Sequence, residues 1–270
     1  MILQELQLSH YRNYEELAVT FAPGINVLIG ENAQGKTNLL EAIYLLAFTK
    51  SHRTAKDREL IGWHQKLARV SGVVERASGR LPLEVQISTS GKRVKVNHLF
   101  QKRLSTYVGN LNVVLFAPED LALVKGAPVN RRQFMDMEFG QMSSKYLYNV
   151  SRFNQQLAQR NAYLRQLKYG QQSDRILLGV ITDQLASVGG EVVVARHQLV
   201  KRLEKWAAEL HHHISKQKEE LSLQYVSQVE VDDQTTEEEA VAQLRRLYSE
   251  NEEREIEHGT SLIGPQRDDI

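Results

Sequence analysis

INVLIGENAQGKTNLLEAIYLL, residues 25–46, decides the fold. Ile25, Val27, Leu28 and Ile29 form a short apolar run rich in β-branched residues, which predicts a buried strand ended by Gly30. From Lys36 the apolar period changes: Leu39, Leu40, Ile43, Leu46 and Ala47 fall three or four apart, which predicts a helix. The connecting loop, Gly30-Glu31-Asn32-Ala33-Gln34-Gly35-Lys36-Thr37, matches G-x-x-x-x-G-K-[ST]. Its glycines tolerate a tight turn, and successive amides then form an anion nest at a helix N-terminus. Lys36 is expected to reach the β- and γ-phosphates of a nucleotide, with the Thr37 hydroxyl on Mg²⁺. A glycine-rich turn with an incidental lysine leaves the order strand, glycines, lysine, hydroxyl unexplained.

Upstream, Leu3–Leu8 and Leu17–Phe21 alternate as strands, and Pro23-Gly24 separates them from the phosphate loop. The intervening polar and aromatic loop, residues 9–14, is read as lying beside the nucleotide, with Arg12 near phosphate. Downstream, Lys50-Ser51-His52-Arg53-Thr54 and Lys56 form a basic loop, a candidate for contact with phosphate or DNA. Residues 67–75, 81–88 and 93–97 read as a meander of three strands, which puts an antiparallel part beside the phosphate-loop sheet.

Asn112–Phe116 reads as another buried strand. Pro118-Glu119-Asp120 then reads as a helix start, its acids near the positive dipole end. The acids do not follow the strand directly, so this is not taken as a Walker B motif. Leu121–Gly126 and Pro128–Phe139 continue helically. From Lys145 two long amphipathic patterns predict a helical hairpin, broken at Gly170–Ser173, with a second arm running to Ile214. That arm would be about 60 Å long at ~1.5 Å per residue. Gly189-Gly190 is a possible kink within it. The surrounding Ser187–Glu191 imitates an ABC signature sequence but lies inside a continuous helical stripe. Three consecutive histidines, His211–His213, point in different directions on a helix and are read as a solvated helix end. Leu221–Val226 suggests a further strand and Glu237–Tyr248 an acidic helix. The last residues read as a strand start.

The chain has 270 residues and formal net charge +1, with ordinary hydrophobic and charged fractions. The charge is segregated. Residues 41–142 carry 16 basic and 9 acidic residues, residues 143–218 carry 12 and 5, and residues 219–257 carry 3 and 13. The basic middle suits a phosphate backbone. No cysteine is present, which fits a reducing compartment. The sequence shows neither a signal peptide nor a continuous membrane-length apolar run, so a cytoplasmic protein without membrane contact is expected.

Several of these stretches together resemble the RecF family of bacterial recombination-repair ATPases. They are Tyr11-Arg12-Asn13-Tyr14, GENAQGKTNLLEAI from Gly30 to Ile43, and Gly264-Pro265-Gln266-Arg267-Asp268-Asp269. Ser51-His52-Arg53-Thr54, Pro118-Glu119-Asp120-Leu121, Lys125-Gly126, Pro128 and Arg131-Arg132 resemble it in order and spacing. The resemblance spans the chain. It implies an α/β P-loop NTPase head of the ABC type, SMC-like, with a mixed or antiparallel sheet in a nucleotide-binding lobe and a second, helical-hairpin lobe. The expected division is residues 1–140 for the first lobe, 141–216 for the hairpin arm, and 217–270 for the start of the head's C-terminal part. The implied site is Gly30, Glu31, Asn32, Ala33, Gln34, Gly35, Lys36 and Thr37, with Arg12 and Asn13, holding ATP and Mg²⁺. Arg53 and Lys56 are the DNA candidates.

The resemblance further implies an ATP-dependent homodimer that binds single-strand/double-strand DNA junctions and works with RecO and RecR in loading RecA. In that family the signature sequence and Walker B follow the Gly-Pro-x-Arg-Asp-Asp motif. They are not found here, so these residues read as an N-terminal portion. Weak ATPase activity is expected of a full-length dimer, and negligible turnover of these 270 residues alone. A different SMC-like head, of the overcoming-lysogeny type, is the alternative. A P-loop kinase or GTPase fits less well, because no N-K-x-D base-reading motif is present and a long helical hairpin is.

Overall fold

The computed structural model describes all 270 residues except the side chain of Glu119. The chain forms two compact units: residues 1–117 with 140–144, and residues 118–139 with 145–270.

The first unit is built on six antiparallel strands: β1 Ile2–Tyr11, β2 Tyr14–Thr20, β3 Leu67–Arg76, β4 Gly79–Ser88, β5 Gly91–Val96 and β6 Leu99–Phe100. Their order is β2-β1-β3-β4-β5-β6, with every neighbouring pair antiparallel. Strand alternation sends Leu6, Leu8, Ala68, Val70, Val74, Leu83, Val85, Ile87 and Val94 to one face, where all are buried. Helix α1, Lys36–Phe48, covers that face with Leu39, Ala42, Leu45 and Leu46. Tyr107 is buried too and donates from its hydroxyl to the Leu46 carbonyl at 2.7 Å.

Two expected strands are corrected. Ile25–Ile29 belongs to no ladder among the described residues, and Ile25 and Ile29 are each 91% exposed. Asn112–Phe116 likewise has no strand partner among the described residues, and Phe116 is 90% exposed. Both have the right composition, but a strand exists only when a second segment supplies hydrogen bonds. The Gln141 side chain bonds both the N–H and the carbonyl of Val113, at 2.7 and 3.1 Å, in place of a ladder. The sheet is therefore antiparallel throughout rather than mixed.

The second unit is helical. A 3₁₀ turn, Pro118–Leu121, leads into α2, Ala122–Lys125, and α3, Pro128–Met142. The side chain of Glu119, read as a helix-start acid, lies outside the described residues. Then come α4, Ser144–Lys168, and α5, Arg175–Ile214, the predicted hairpin, followed by α6, Glu237–Glu250, and α7, Glu252–His258. Asp174 caps α5 by accepting from the Leu177 amide, and Thr236 with Glu239 forms a capping box on α6. By length and composition α5 passes for a membrane span, yet half of its most apolar window is buried inside the unit.

At Gly189-Gly190, the possible kink, α5 runs on as one uninterrupted helix. The missing side chains admit α6, because a Cβ on Gly190 would lie 2.6 Å from Val241 Cγ2 and 2.9 Å from the Val241 amide nitrogen. The core combines Met135, Phe139, Phe153, Leu185, Val192, Leu244 and Tyr248. The expected strand at Leu221–Val226 reduces to one bridge, Val226 with Asp269, and the expected terminal strand to a 3₁₀ turn, Pro265–Arg267, before it.

The Gly264–Asp269 motif is tied down by arginines of the same unit. Arg131 makes two hydrogen bonds to the Asp269 carboxylate, at 2.6 and 2.8 Å, and Arg132 donates to the Asp268 carbonyl at 2.8 Å. Buried Arg196 donates to the Pro265 carbonyl at 2.7 Å and to Asp136 at 2.8 Å. Burial raises the carboxyl of Asp268 above its ordinary value, against the hydrogen bond from Tyr225 and the charge of Arg196. A second buried pair, Arg160 and Glu255 at 2.7 Å, fastens α4 to α7.

Candidate nucleotide site

Residues 30–37 form a loop that enters α1 through Gly35. Gly35 has φ +103°, and a Cβ there would lie 2.7 Å from Tyr14 Oη and 2.8 Å from Asn13 Nδ2. Only glycine combines that backbone with that crowding. Ala33 is left-handed as well, at φ +66°. The first turn of α1 carries no acidic side chain, so no carboxylate competes for its free amides. Lys36 folds back over the loop, and its Nζ donates to the carbonyls of Gly30 and Glu31, each at 2.7 Å. Glu31, Asn32, Gln34 and Thr37 are exposed.

The β1–β2 hairpin tip packs directly on this loop. Arg12, left-handed at φ +53°, and Asn13 make its two-residue turn. Asn38 Nδ2 donates to Asn13 Oδ1 at 2.8 Å, and Arg53 donates to Asn38 Oδ1 at 2.8 Å. Asn13, Asn38 and Arg53 thus form a chain of side chains along the first turn of α1. Lys56 stands apart, mostly exposed, and its side chain approaches Glu59 at 3.8 Å.

Arg12, expected near phosphate, is held at Glu41. Its guanidinium grips the fully buried Glu41 carboxylate at 2.9 and 2.6 Å and donates to the Glu59 carbonyl at 2.9 Å. Ser51 Oγ donates to the same carboxylate at 2.5 Å, and Arg53 approaches it at 3.6 Å. Burial acts against the charge on Glu41. The hydrogen bonds from Arg12 and Ser51 and the charges of Arg12 and Arg53 outweigh it and hold the carboxyl below its usual value. The hydrogen bond to Glu41 raises the Arg12 guanidinium.

Glu41 therefore joins α1, the hairpin tip and the loop after α1, a role the sequence reading did not assign. Its signal was present: an acid among Leu39, Ala42 and Leu45 on the buried helix face, in a chain with arginines on both flanking loops.

The arrangement fits a nucleoside triphosphate. The glycine-bearing loop supplies amides, Lys36 an ammonium, and Thr37 an exposed hydroxyl at the helix start. No group of three or more His, Asp or Glu side chains placed to hold a metal occurs among the described residues. A magnesium ion at this loop would then rest on Thr37 and the phosphates themselves.

Comparison with known proteins gives a consistent result. The AAA domain family matches residues 5–259. The DNA replication and repair protein RecF of Limosilactobacillus fermentum is 99% identical over all 270 residues, which span 72% of that protein. The protein of the same name from Limosilactobacillus reuteri is 62% identical over the same stretch, again 72% of its length. Among solved structures, that of the recombination mediator protein RecF with ATP in the RecFOR pathway superposes with TM-score 0.93 and 28% identity. It covers 99% of this chain and 71% of that one. The corresponding RecF–ATPrS structure gives 0.91 and 26%, covering 99% and 72%.

Proposed function

The chain belongs to the RecF family of DNA replication and repair proteins and has the α/β fold of their ATPase heads, and from this we propose that it is an ATP-gated, DNA-binding component of recombinational repair. The observation that carries the reading is the closed phosphate loop of residues 30–37, with Gly35 under the β1–β2 tip and Lys36 across the loop carbonyls. Lys36 exchanges its two carbonyl partners for the β- and γ-phosphates. The loop amides hold the remaining oxygens, and Thr37 meets Mg²⁺. Asn13 and Asn38 keep the hairpin tip on the loop. Arg12 supports the site through Glu41, and Arg53, with 41% of its side chain exposed, exchanges its Asn38 and Glu41 contacts to turn toward phosphate.

Functionally, residues 1–140 act as the nucleotide lobe, 141–216 as the arm, and 217–270 as the start of the head's C-terminal part. ATP binding joins two heads and aligns their basic surfaces on one DNA. Bound magnesium supplies charge neutralisation for phosphoryl transfer. RecO, RecR and RecA are the partners this family reading implies, with a single-strand/double-strand junction as the DNA.

The test is DNA retention by the full-length protein with and without ATP, comparing wild type with Lys36→Ala on single-strand, duplex and junction substrates. Retention that rises with ATP only in wild type supports the reading. Retention indifferent to ATP and to Lys36 defeats it.

A further inference from the structure

The free edge of the six-strand sheet carries chemistry that the nucleotide site does not use. Between Gly91 and Leu104 the sequence places Lys92, Arg93, Lys95, Lys102 and Arg103, and no carboxylate. Asn97 and His98, both left-handed at φ +49° and +65°, turn β5 into the edge strand β6. The register sets Lys95 opposite Phe100, so both stand on one face, and Lys95 Nζ lies 4.8 Å from the centre of the Phe100 ring. Phe100 is nonetheless 57% exposed.

Around this edge runs a groove of about 480 Å³, lined among others by Arg93, Phe100, Gln101, Lys102 and Leu104. Lys92 is spent on Asp57, at 2.8 Å, and Lys95 on Glu84, at 2.8 Å. Arg93 and Lys102 are exposed, with no ion-pair partner among the described residues. Lys95 covers part of the Phe100 ring; the part left exposed shares the groove with two cations that have no ion-pair partner among the described residues, which matches a ligand that alternates planar apolar groups with anions.

We propose that this groove binds single-stranded nucleic acid, with a base stacked on Phe100 and backbone phosphates on Arg93 and Lys102. Duplex DNA hides its base faces, so it engages the cations alone. An acidic peptide likewise uses the cations and leaves the ring idle. The inference rests on the DNA-binding reading above and adds to it a location and a strand preference.

The test uses the full-length protein and fluorescence anisotropy with labelled oligo-dT and a duplex of matching length. Phe100→Ala is expected to weaken oligo-dT binding at least about fivefold, the low end of the loss of one stacked base, and to leave duplex binding within about twofold. Leu99→Ala, a neighbouring exposed position outside the groove lining, is expected to change neither. Arg93→Glu and Lys102→Glu should each lower the salt dependence of oligo-dT binding by about 0.7 in log–log slope, one phosphate contact apiece.

The proposal is overturned if Phe100→Ala leaves oligo-dT binding within twofold. It is overturned equally if the variant weakens duplex and single strand alike, or if polyglutamate displaces oligo-dT with Phe100→Ala making no difference. Duplex retention that still depends on ATP and Lys36 while Phe100 proves silent sinks this groove alone. Loss of the ATP and Lys36 dependence with Phe100 still discriminating sinks the gating reading alone.

Discussion

Glu41→Gln isolates the carboxylate that joins the hairpin tip, α1 and the following loop. The substitution keeps shape and one acceptor oxygen but removes the charge that faces Arg12 at 2.6 and 2.9 Å. Breaking a buried pair costs about 3–5 kcal/mol. The Arg12 side chain keeps 18% of its surface in water, which points to the low end of that range. Unfolding entropy of about 2.1 cal/mol/K per residue gives a unit of ~120 residues roughly 0.25 kcal/mol/K, so a loss of ~3 kcal/mol lowers the midpoint by about 12 °C.

Scanning calorimetry of the full chain measures this, with the first unit's transition identified as the one that Leu6→Ala also moves, Leu6 being wholly buried in that unit. The pH dependence supplies a second reading. The folded-state pKa of Glu41 lies below its usual value of 4.5, so its contribution is complete above that value and is lost as pH falls through the folded-state pKa. Wild type should therefore lose its advantage over Glu41→Gln on acidification, and the two midpoints should converge. A midpoint for Glu41→Gln within about 2 °C of wild type at neutral pH, or a gap that does not close in acid, refutes the reasoning.

Four further substitutions test the packing that frames the site and the second unit. Gly35→Ala should abolish the thermal upshift given by ATP and destabilise by about 1–3 kcal/mol. Gly79→Ala, also at positive φ but with nothing near its absent Cβ, pays the backbone cost alone and should keep the ATP response. Gly190→Ala forces α6 off α5 and should lower the stability of the second unit by about 1–3 kcal/mol in urea titrations, with ATP binding unchanged. Thr236→Ala removes the capping box of α6 and should cost about 1 kcal/mol by the same titration.

The helices were legible because a helix finds its hydrogen-bond partners within its own sequence. The pattern through α4, the break near Gly170 and the run of α5 to Ile214 follow from residues three and four apart. The phosphate loop was legible for the same reason, since its glycines, lysine and hydroxyl act within eight residues. The Glu41 cluster was not, because its arginine and serine come from two other loops. The packing role of Gly189-Gly190 was not legible either, because the sequence gives no view of α6, the neighbour that fills the space the glycines leave.

Strands are the harder case, and Ile25–Gly30 shows why. Its side chains are those of a buried strand, and β1 and β3, of similar character, do pair, in a register that buries Leu6, Leu8, Val70 and Val74. Composition is therefore necessary but leaves open which segments meet. Asn97 and His98 make the converse point: neither is glycine, yet both take the left-handed conformation in the turn that joins β5 to β6, where Lys95 pairs with Phe100 and Val96 with Leu99. Pairing energy is non-local, so it can impose a strand where local preference is weak and withhold one where local preference is strong.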